Sequence, residues 1–400
     1  MTIALHPARV WSAEEGVREG LSVLVDGKRI AKIAPRAALG GADEDIELPG
    51  STLLPGLSDI HSHLFLYPYD RTSWDDQVLK EAEAYRTVRA VTHARDTLAA
   101  GFTTLRDLGT EGAGYADVAL KRAIADGIVP GPRLFVAGPA IVATGSYGPA
   151  RRNFRPDCCV PQGAEEASGI DEIVRAVRHQ AAHGADWIKL YADYRAGPNG
   201  ETVPTFSIDE MRAACDAAHS LGRPVASHAT SDEGMRRAIL AGVDTIEHGY
   251  GGSAATFALM QLKSIAFLPT LMAVQSIDTY RGDYVPGGAP SARMAQAANA
   301  FRLARTAGVT IGCGSDVGVF AHGSNLDELK SMQALGMSAQ ETLEAATSVN
   351  AAILYRKHDL GRVAEGFLAD LIAADGDPLA DLETLTVPRF VMADGRVVRR

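Results

Sequence analysis

Residues 57–315 alternate between short apolar runs and longer stretches of helical periodicity, and no other feature of the chain constrains its fold as strongly. Eight of the apolar runs have the length of a strand. They are Leu57–His63, Phe102–Leu108, Arg133–Pro139, Trp187–Tyr191, Pro224–His228, Thr245–His248, Ile265–Thr270 and Thr310–Ser315. Eight strand–helix units are the number that closes a (β/α)8 TIM barrel, so the sequence predicts an α/β barrel. A doubly wound sheet is the alternative, but no GxGxxG fingerprint opens the first unit.

Helical stretches separate the strand candidates, and many of them stop at a glycine, the residue favoured just past a helix C-terminus. The predicted helices are Asp76–Ala100, Glu165–His183, Ser207–Leu221, Asp232–Ala241, Ala289–Ala307, Asn325–Leu335 and a stretch near Ala339–Tyr355. The glycines after the first six are Gly101, Gly184, Gly222, Gly242, Gly308 and Gly336. These stops account for part of the high glycine content, 40 of 400 residues.

The two ends of the chain differ from the middle, because both consist of short β-type segments separated by glycines. We therefore predict two domains. Residues 1–56 and 360–400 together form a small β-sandwich-like domain, and residues 57–359 form the barrel.

Composition narrows the classes of partner. The chain is 46% hydrophobic, which suits a globular protein. Its net charge of −10 has the wrong sign for binding nucleic acid or an anionic membrane. No apolar run has the length of a membrane-spanning helix, and the N-terminus lacks a secretory pattern. We expect a cytoplasmic protein, or a periplasmic or secreted one if a signal peptide has been removed.

Metal-ligating side chains fall at the ends of the predicted strands, where a barrel places its active site. His61 and His63 are two residues apart on the first strand and so point to the same side. Other strands end with similar groups, namely Lys189, His228, His248 and Asp316. Any one of them, taken alone, is more often a hydrogen-bonded structural residue than a metal ligand. Their convergence at one end of the strands favours a metal site.

The same residues carry a resemblance to a known family. The run Leu54–His63, Lys189, His228, the Ile246–Gly249 motif and the Gly314–Asp316 motif resemble the metal-dependent amidohydrolase superfamily nearly end to end. The stretch Lys189–Gly200 is similar to the prolidase and carboxypeptidase subgroup, which includes ochratoxin amidohydrolases.

This resemblance implies two divalent metal ions, usually zinc, bridged by a lysine that is carboxylated on its amine. His61, His63 and Asp316 would hold one metal, and His228 and His248 the other. Lys189 would lie between them as a carbamate, because a free ammonium would repel two dications. Two such metals lower the pKa of a shared water toward neutrality. Asp316 would take the proton of that water and pass it to the leaving amine.

Four further side chains are candidates for binding substrate. Tyr191 follows Lys189 by two residues and faces the same side, although a core tyrosine fits equally well. His322 directly follows the eighth strand, and Arg195 is ranked above Arg151 and its neighbour for holding a substrate carboxylate. The fourth candidate is Tyr147, which stands where the subgroup commonly has histidine, and this departure puts dipeptidase specificity in doubt.

The sequence therefore predicts a hydrolase that cleaves a small amide or dipeptide and releases a C-terminal amino acid. A carboxypeptidase, a dipeptidase, an N-acyl amino-acid amidase and an ochratoxin hydrolase all fit this description. The alternative enzyme is a deaminase or cyclic-amide hydrolase, which often uses one metal and needs no bridging lysine. A non-catalytic scaffold normally loses ligands, and here the set is intact. We also expect a homo-oligomer.

Overall fold

The computed structural model describes all residues 1–400 and contains nineteen strands. In chain order they are β1 (Thr2–Ser12), β2 (Gly16–Glu19), β3 (Ser22–Asp26), β4 (Arg29–Ala34), β5 (Glu44–Pro55), β6 (Leu57–Ser62), β7 (Phe102–Asp107), β8 (Arg133–Val136), β9 (Ile141–Val142), β10 (Glu165–Glu166), β11 (Ile188–Tyr191), β12 (Asp193–Tyr194), β13 (Val203–Pro204), β14 (Val225–Ala229), β15 (Thr245–His248), β16 (Ala266–Leu268), β17 (Leu371–Asp375), β18 (Phe390–Ala393) and β19 (Arg396–Arg399).

Twelve α-helices lie between these strands. They are α1 (Trp74–Lys80), α2 (Glu83–Ala99), α3 (Ala116–Ala125), α4 (Ile170–His183), α5 (Ile208–Ser220), α6 (Asp232–Ala241), α7 (Ala254–Leu262), α8 (Leu271–Arg281), α9 (Ala292–Thr306), α10 (Leu326–Ala334), α11 (Ala339–Glu344) and α12 (Asn350–Ile353). None of them combines the length and the apolar character that crossing a bilayer requires.

Both chain ends enter one sheet of eight strands, in the order β19-β18-β17-β5-β1-β3-β4 with β2 paired to β1. Strand β1 runs parallel to β5, and β5 pairs antiparallel with β17, where Leu54 lies opposite Ile372. The N-terminal and C-terminal segments are therefore joined by backbone hydrogen bonds. The domain boundaries proposed from the sequence stay a prediction.

The middle of the chain is built from parallel strands with helices between them. Strands β6, β7 and β8 form one sheet, and β10-β9-β11-β14-β15-β16 form a second. The amides of Asp186 and Trp187, just before β11, both donate to the carbonyl of Val136 in β8, which connects the two sheets. The largest apolar core cluster lies between the second sheet and helices α4 to α9. All parallel strands thus end on the same side, where the site described below is found.

The eighth predicted strand, Thr310–Ser315, is wrong as a regular strand. It makes one isolated parallel bridge, between Ile311 and Phe267. The N–H of Cys313 donates to the side chain of Asn350 at 3.1 Å, and the Cys313 carbonyl accepts from that side chain at 2.9 Å as well as from the Ile60 N–H at 3.0 Å. At Gly314, an added Cβ would lie 2.8 Å from Cβ of His61. The segment therefore bonds to its neighbours without forming a regular ladder.

Several predicted helices also need correction. The stretch Asp76–Ala100 is two helices, because the backbone at Glu81 is extended (ψ 122°) between α1 and α2. The stretch Glu165–His183 begins with strand β10, which pairs with β9, and its helix starts only at Ile170. The stretch near Ala339–Tyr355 contains the π-helix Ala345–Val349 between α11 and α12. Helices α3, α7 and α8 were not predicted.

Candidate metal centre and adjoining cavity

Strand β6 delivers the first two histidines, with each imidazole fixed through its Nδ1 atom. Nδ1 of His61 lies 2.7 Å from Oε2 of Glu247, and Nδ1 of His63 lies 2.9 Å from the carbonyl oxygen of Gly109. These acceptors favour hydrogen on Nδ1, so Nε2 is the ligand atom of each ring when the ring is neutral. Both Nε2 atoms face Oδ1 of Asp316, at 3.6 Å from His61 and 3.1 Å from His63.

Strands β14 and β15 deliver the other two histidines from neighbouring positions in the sheet. The ring centroids of His228 and His248 are 4.4 Å apart, and that of His248 is 5.0 Å from that of His61. The hydroxyl of Thr270 lies 2.8 Å from Nδ1 of His248 and orients this ring. His248 and Asp316 both have a left-handed backbone (φ 73° and 64°), an uncommon conformation that often marks functional sites.

These side chains include a candidate metal-binding cluster, since single ligand atoms of His61, His248 and Asp316 all lie within 4.8 Å of one another. Burial is the main cause that holds the pKa values of His61, His228 and His248 well below the ordinary value for histidine. Neutral imidazoles are the form that binds metal ions. His63 differs: although burial opposes its charged form, the hydrogen bond and charge of Asp316 raise its pKa to about 9.

Lys189 lies in β11 beside this cluster and is almost fully buried, at 1% exposed. Its Nζ atom has no hydrogen-bond partner, and burial lowers its pKa from 10.5 to about 8. A buried ammonium without a partner is costly, so the structure gives this lysine no role as an ordinary ion-pairing residue. An amine that is orphaned next to imidazoles and a carboxylate fits a ligand set for divalent metal ions.

A further layer of polar residues orients the ligands. Nη2 of Arg106 lies 3.0 Å from Oε1 of Glu247, and its guanidinium stacks on Trp187 at 4.2 Å from the ring centroid. Glu247 therefore connects a buried cation to His61. Asp59 accepts from the His61 backbone N–H at 3.1 Å and from Nδ2 of Asn325 at 2.7 Å, and burial raises its pKa to about 6.

A cavity of about 1050 Å³ opens over the cluster, and three of the four predicted substrate residues line it. Tyr191 stacks on His228 with 4.5 Å between centroids, and the hydroxyl of Tyr147 donates to Glu111 at 2.7 Å. Arg195 is bonded only to the hydroxyl of Tyr194, at 3.2 Å. The wall is rich in aromatic side chains: Tyr69, Trp74, Tyr147, Tyr191, Tyr194, Tyr250 and Tyr280.

His322 is the predicted substrate residue that the structure does not bring into the cavity wall. Its Nε2 donates to the carbonyl of Leu66 at 3.2 Å, and its ring stacks on His93 with 4.1 Å between centroids. This packing turns the imidazole away from the site. The lower-ranked candidate Arg151 is also elsewhere, in an exposed ion pair with Glu166 at 2.6 Å.

Glu111 is a cavity residue that the sequence reasoning missed. It lies in the loop after β7, is 2% exposed and has a left-handed backbone (φ 51°). Its Oε2 accepts hydrogen bonds from Nε1 of Trp74 at 2.9 Å and from the hydroxyl of Tyr147. The signal was available, since an acidic residue four positions past a parallel strand lies at the end where such sheets place their sites.

The model of the Amidohydrolase family matches residues 52–398 of the chain. An uncharacterized protein of Mycobacterium tuberculosis is 31% identical over 365 residues, covering 89% of this chain and 87% of the relative. The ochratoxinase of Aspergillus niger is 28% identical over 361 residues, covering 85% of this chain and 73% of the relative. This chain belongs to the amidohydrolase family and is a hydrolase that acts on amide bonds.

Solved structures agree with this placement. A crystal structure of an Xaa-Pro dipeptidase with bound methionine in its active site superposes with a TM-score of 0.89 at 31% identity, covering 99% of both chains. The crystal structure of Aspergillus niger ochratoxinase gives a TM-score of 0.82 at 25% identity, covering 100% of this chain and 95% of that one. The resemblance to the prolidase-like subgroup, expected from the motifs, is confirmed.

Proposed function

We propose that this protein is a binuclear metal-dependent amidohydrolase that cleaves a peptide-like amide bond and releases a C-terminal amino acid. The observation that carries the proposal is the buried, unpartnered Nζ of Lys189, whose charge acts on the imidazoles and on the Asp316 carboxylate. The names of two relatives, an Xaa-Pro dipeptidase and an ochratoxinase, support this choice of substrate class.

We propose that the fold is a (β/α)8 TIM barrel and that the terminal sheet forms a second domain. In support, residues at both ends of the segment 310–317 bond to flanking strands. Phe267 of β16 donates to Thr310, and Asp316 donates to His61 of β6 at 2.7 Å. Together with the link between β8 and the residues before β11, these bonds support closure of the parallel strands into a barrel.

The residues that would hold the metals are His61, His63 and Asp316 for one ion and His228 and His248 for the other, with Lys189 as the bridging carbamate. Imidazole nitrogens and carboxylate-type oxygens are ligands that suit zinc. When bound at such a set, two divalent ions supply water activation and carbonyl polarisation.

The remaining steps belong to side chains of this chain. Oδ1 of Asp316 faces Nε2 of both His61 and His63, and it would accept the proton of the attacking water and then deliver it to the leaving amine. The aromatic wall would exclude bulk water from the substrate. Arg195, whose guanidinium contacts only Tyr194, is free to bind the carboxylate of the departing amino acid, and the hydroxyl of Tyr191 is placed to contact a substrate oxygen.

Two measurements on the purified protein test the proposal. Metal analysis should find about two divalent ions per chain, whereas about one would favour the deaminase class. A panel of dipeptides, N-acyl amino acids and an ochratoxin-type amide, assayed for released amino acid, should contain substrates. Turnover of cyclic ureides or aminopurines with no cleavage of any linear amide would overturn the proposal.

A further inference from the structure

We propose that Glu111 forms a subsite for the free ammonium group of the substrate residue on the acyl side of the scissile bond. The inference rests on the proposed function and deepens it. It selects dipeptides with a free N-terminus over N-acyl amino acids as the substrate class.

The position of Glu111 places its charge next to the candidate metal ligands. An added Cβ at Gly109 would lie 3.4 Å from Oε1 of Glu111 and 3.6 Å from Cε1 of His63, so both groups flank the same point. Oε1 is also 3.4 Å from the hydroxyl of Tyr191, whose ring stacks on His228. In a dipeptide, the α-ammonium is only two bonds from the scissile carbonyl carbon, so a subsite for it must adjoin the reacting centre.

The two carboxylate oxygens of Glu111 are unequally satisfied. Oε2 accepts short hydrogen bonds from Trp74 (2.9 Å) and Tyr147 (2.7 Å), whereas Oε1 has only the long contact with Tyr191. A carboxylate oxygen has room for two acceptor interactions. Oε1 therefore has capacity left for a donor.

No side chain forms an ion pair with the Glu111 carboxylate. Arg86 lies nearby, but its guanidinium donates to backbone carbonyls of Phe65, Thr110 and Glu111 itself and not to the carboxylate. These bonds fix the loop that carries Glu111 in its left-handed conformation. A buried carboxylate without a paired charge is costly, and a substrate ammonium would supply that charge.

The aromatic residues around Glu111 contact its carboxylate through their polar edges, Trp74 through Nε1 and Tyr147 and Tyr191 through their hydroxyls. Another acid of the cavity wall, Asp232, is exposed to solvent, and its Oδ1 accepts from the Ser253 N–H at 2.7 Å and from the Thr256 hydroxyl at 2.6 Å. Glu111 is the better candidate.

The test compares one dipeptide that the enzyme cleaves, such as alanyl-proline, with its N-acetyl derivative. Glu111→Gln removes the charge and keeps an acceptor for Trp74 and Tyr147. We expect the wild type to prefer the dipeptide, and the ratio of the two kcat/KM values to fall by about 10- to 100-fold in E111Q, as for loss of a hydrogen bond to a charged group. Metal content and the thermal midpoint serve as controls for folding.

Equal losses on both substrates would assign Glu111 a structural role and overturn the subsite, as would a wild-type preference for the N-acetyl compound. Tyr147→Phe is the matched variant: it removes a donor to Glu111 but keeps the charge, so the substrate ratio should change by less than threefold. If the wild type cleaves no linear amide of the panel, the proposed function fails separately. Calorimetry then measures the binding of the same two compounds to the wild type and to E111Q. If E111Q binds the dipeptide as tightly as the wild type does, the subsite is overturned.

Discussion

Nδ1 of His61 and Oε2 of Glu247 lie 2.7 Å apart, and both side chains are essentially inaccessible to solvent. The other oxygen of Glu247 is held by Arg106 at 3.0 Å. His61 is thus oriented by a carboxylate that is itself oriented by a buried cation. Hydrogen bonds of this type set the tautomer and the basicity of a metal-binding histidine.

Glu247→Gln should therefore weaken metal binding. Loss of such a supporting partner typically costs about 10- to 100-fold in metal affinity or activity. We expect the variant to need a correspondingly higher zinc concentration for half-maximal activity. The measurement is activity during titration of the metal-depleted protein with zinc, alongside the metal content of the purified variant.

Glu247→Ala serves as the contrast. It leaves Arg106 buried without its ion-pair partner and should lower the free energy of unfolding by about 3–5 kcal/mol. If E247Q bound zinc as tightly as the wild type, the orienting role of this carboxylate would be refuted.

Lys189→Ala and Asp316→Ala should each abolish turnover while the fold survives. The first removes the proposed bridging ligand, and the second removes both a ligand and the group that transfers the proton. Circular dichroism should match the wild type, because Lys189 makes no hydrogen bond whose loss would weaken the fold. Wild-type activity in either variant would refute the assignment of that residue.

Arg195→Ala should raise KM about tenfold for substrates whose leaving amino acid has a free carboxylate, as expected for loss of a charged hydrogen bond. For the same substrates with an amidated C-terminus, KM should rise much less. Arg151→Ala is the matched control, since Arg151 is an exposed arginine paired with Glu166. An equal rise in KM for the carboxylate and the amide would argue against carboxylate binding by Arg195.

The titration of Glu328 should lower the free energy of unfolding as pH rises. Its carboxylate accepts from the N–H groups of Leu271 and Met272 at the start of α8, but burial raises its pKa from 4.5 to about 8. Between these values the folded protein retains a proton that the unfolded chain has released, so stability falls as pH rises through this range. Below pH 4.5 both states are protonated and the contribution is fully present.

Comparing the wild type with Glu328→Gln isolates this contribution, because glutamine does not titrate. The thermal midpoint of the wild type relative to E328Q should fall progressively from pH 5 to pH 8. A difference between the two proteins that stays constant with pH would show that Glu328 does not titrate in this range.

Much of the candidate site could be predicted because its signals are local. Alternation along a strand places His61 and His63 on one side, and Lys189 is the only charge in an apolar strand. The start of β7 and both ends of β15 were predicted to the residue. Helix α6 was predicted to its full extent, since Ser231 caps its first turn and Gly242 follows it with φ 97°.

The sequence by itself determined the order of most of the parallel strands and the chemical types of the candidate site residues, because these follow from periodicity and from positions at strand ends. Only the tertiary structure decided the rest. Asn350 converts the eighth strand into an irregular segment through bonds to Cys313, 37 residues away. Contacts with Leu66 and His93 likewise take His322 out of the cavity, and Arg86 brings Glu111 into it. Such contacts join segments that are distant in the chain, so no local pattern records them.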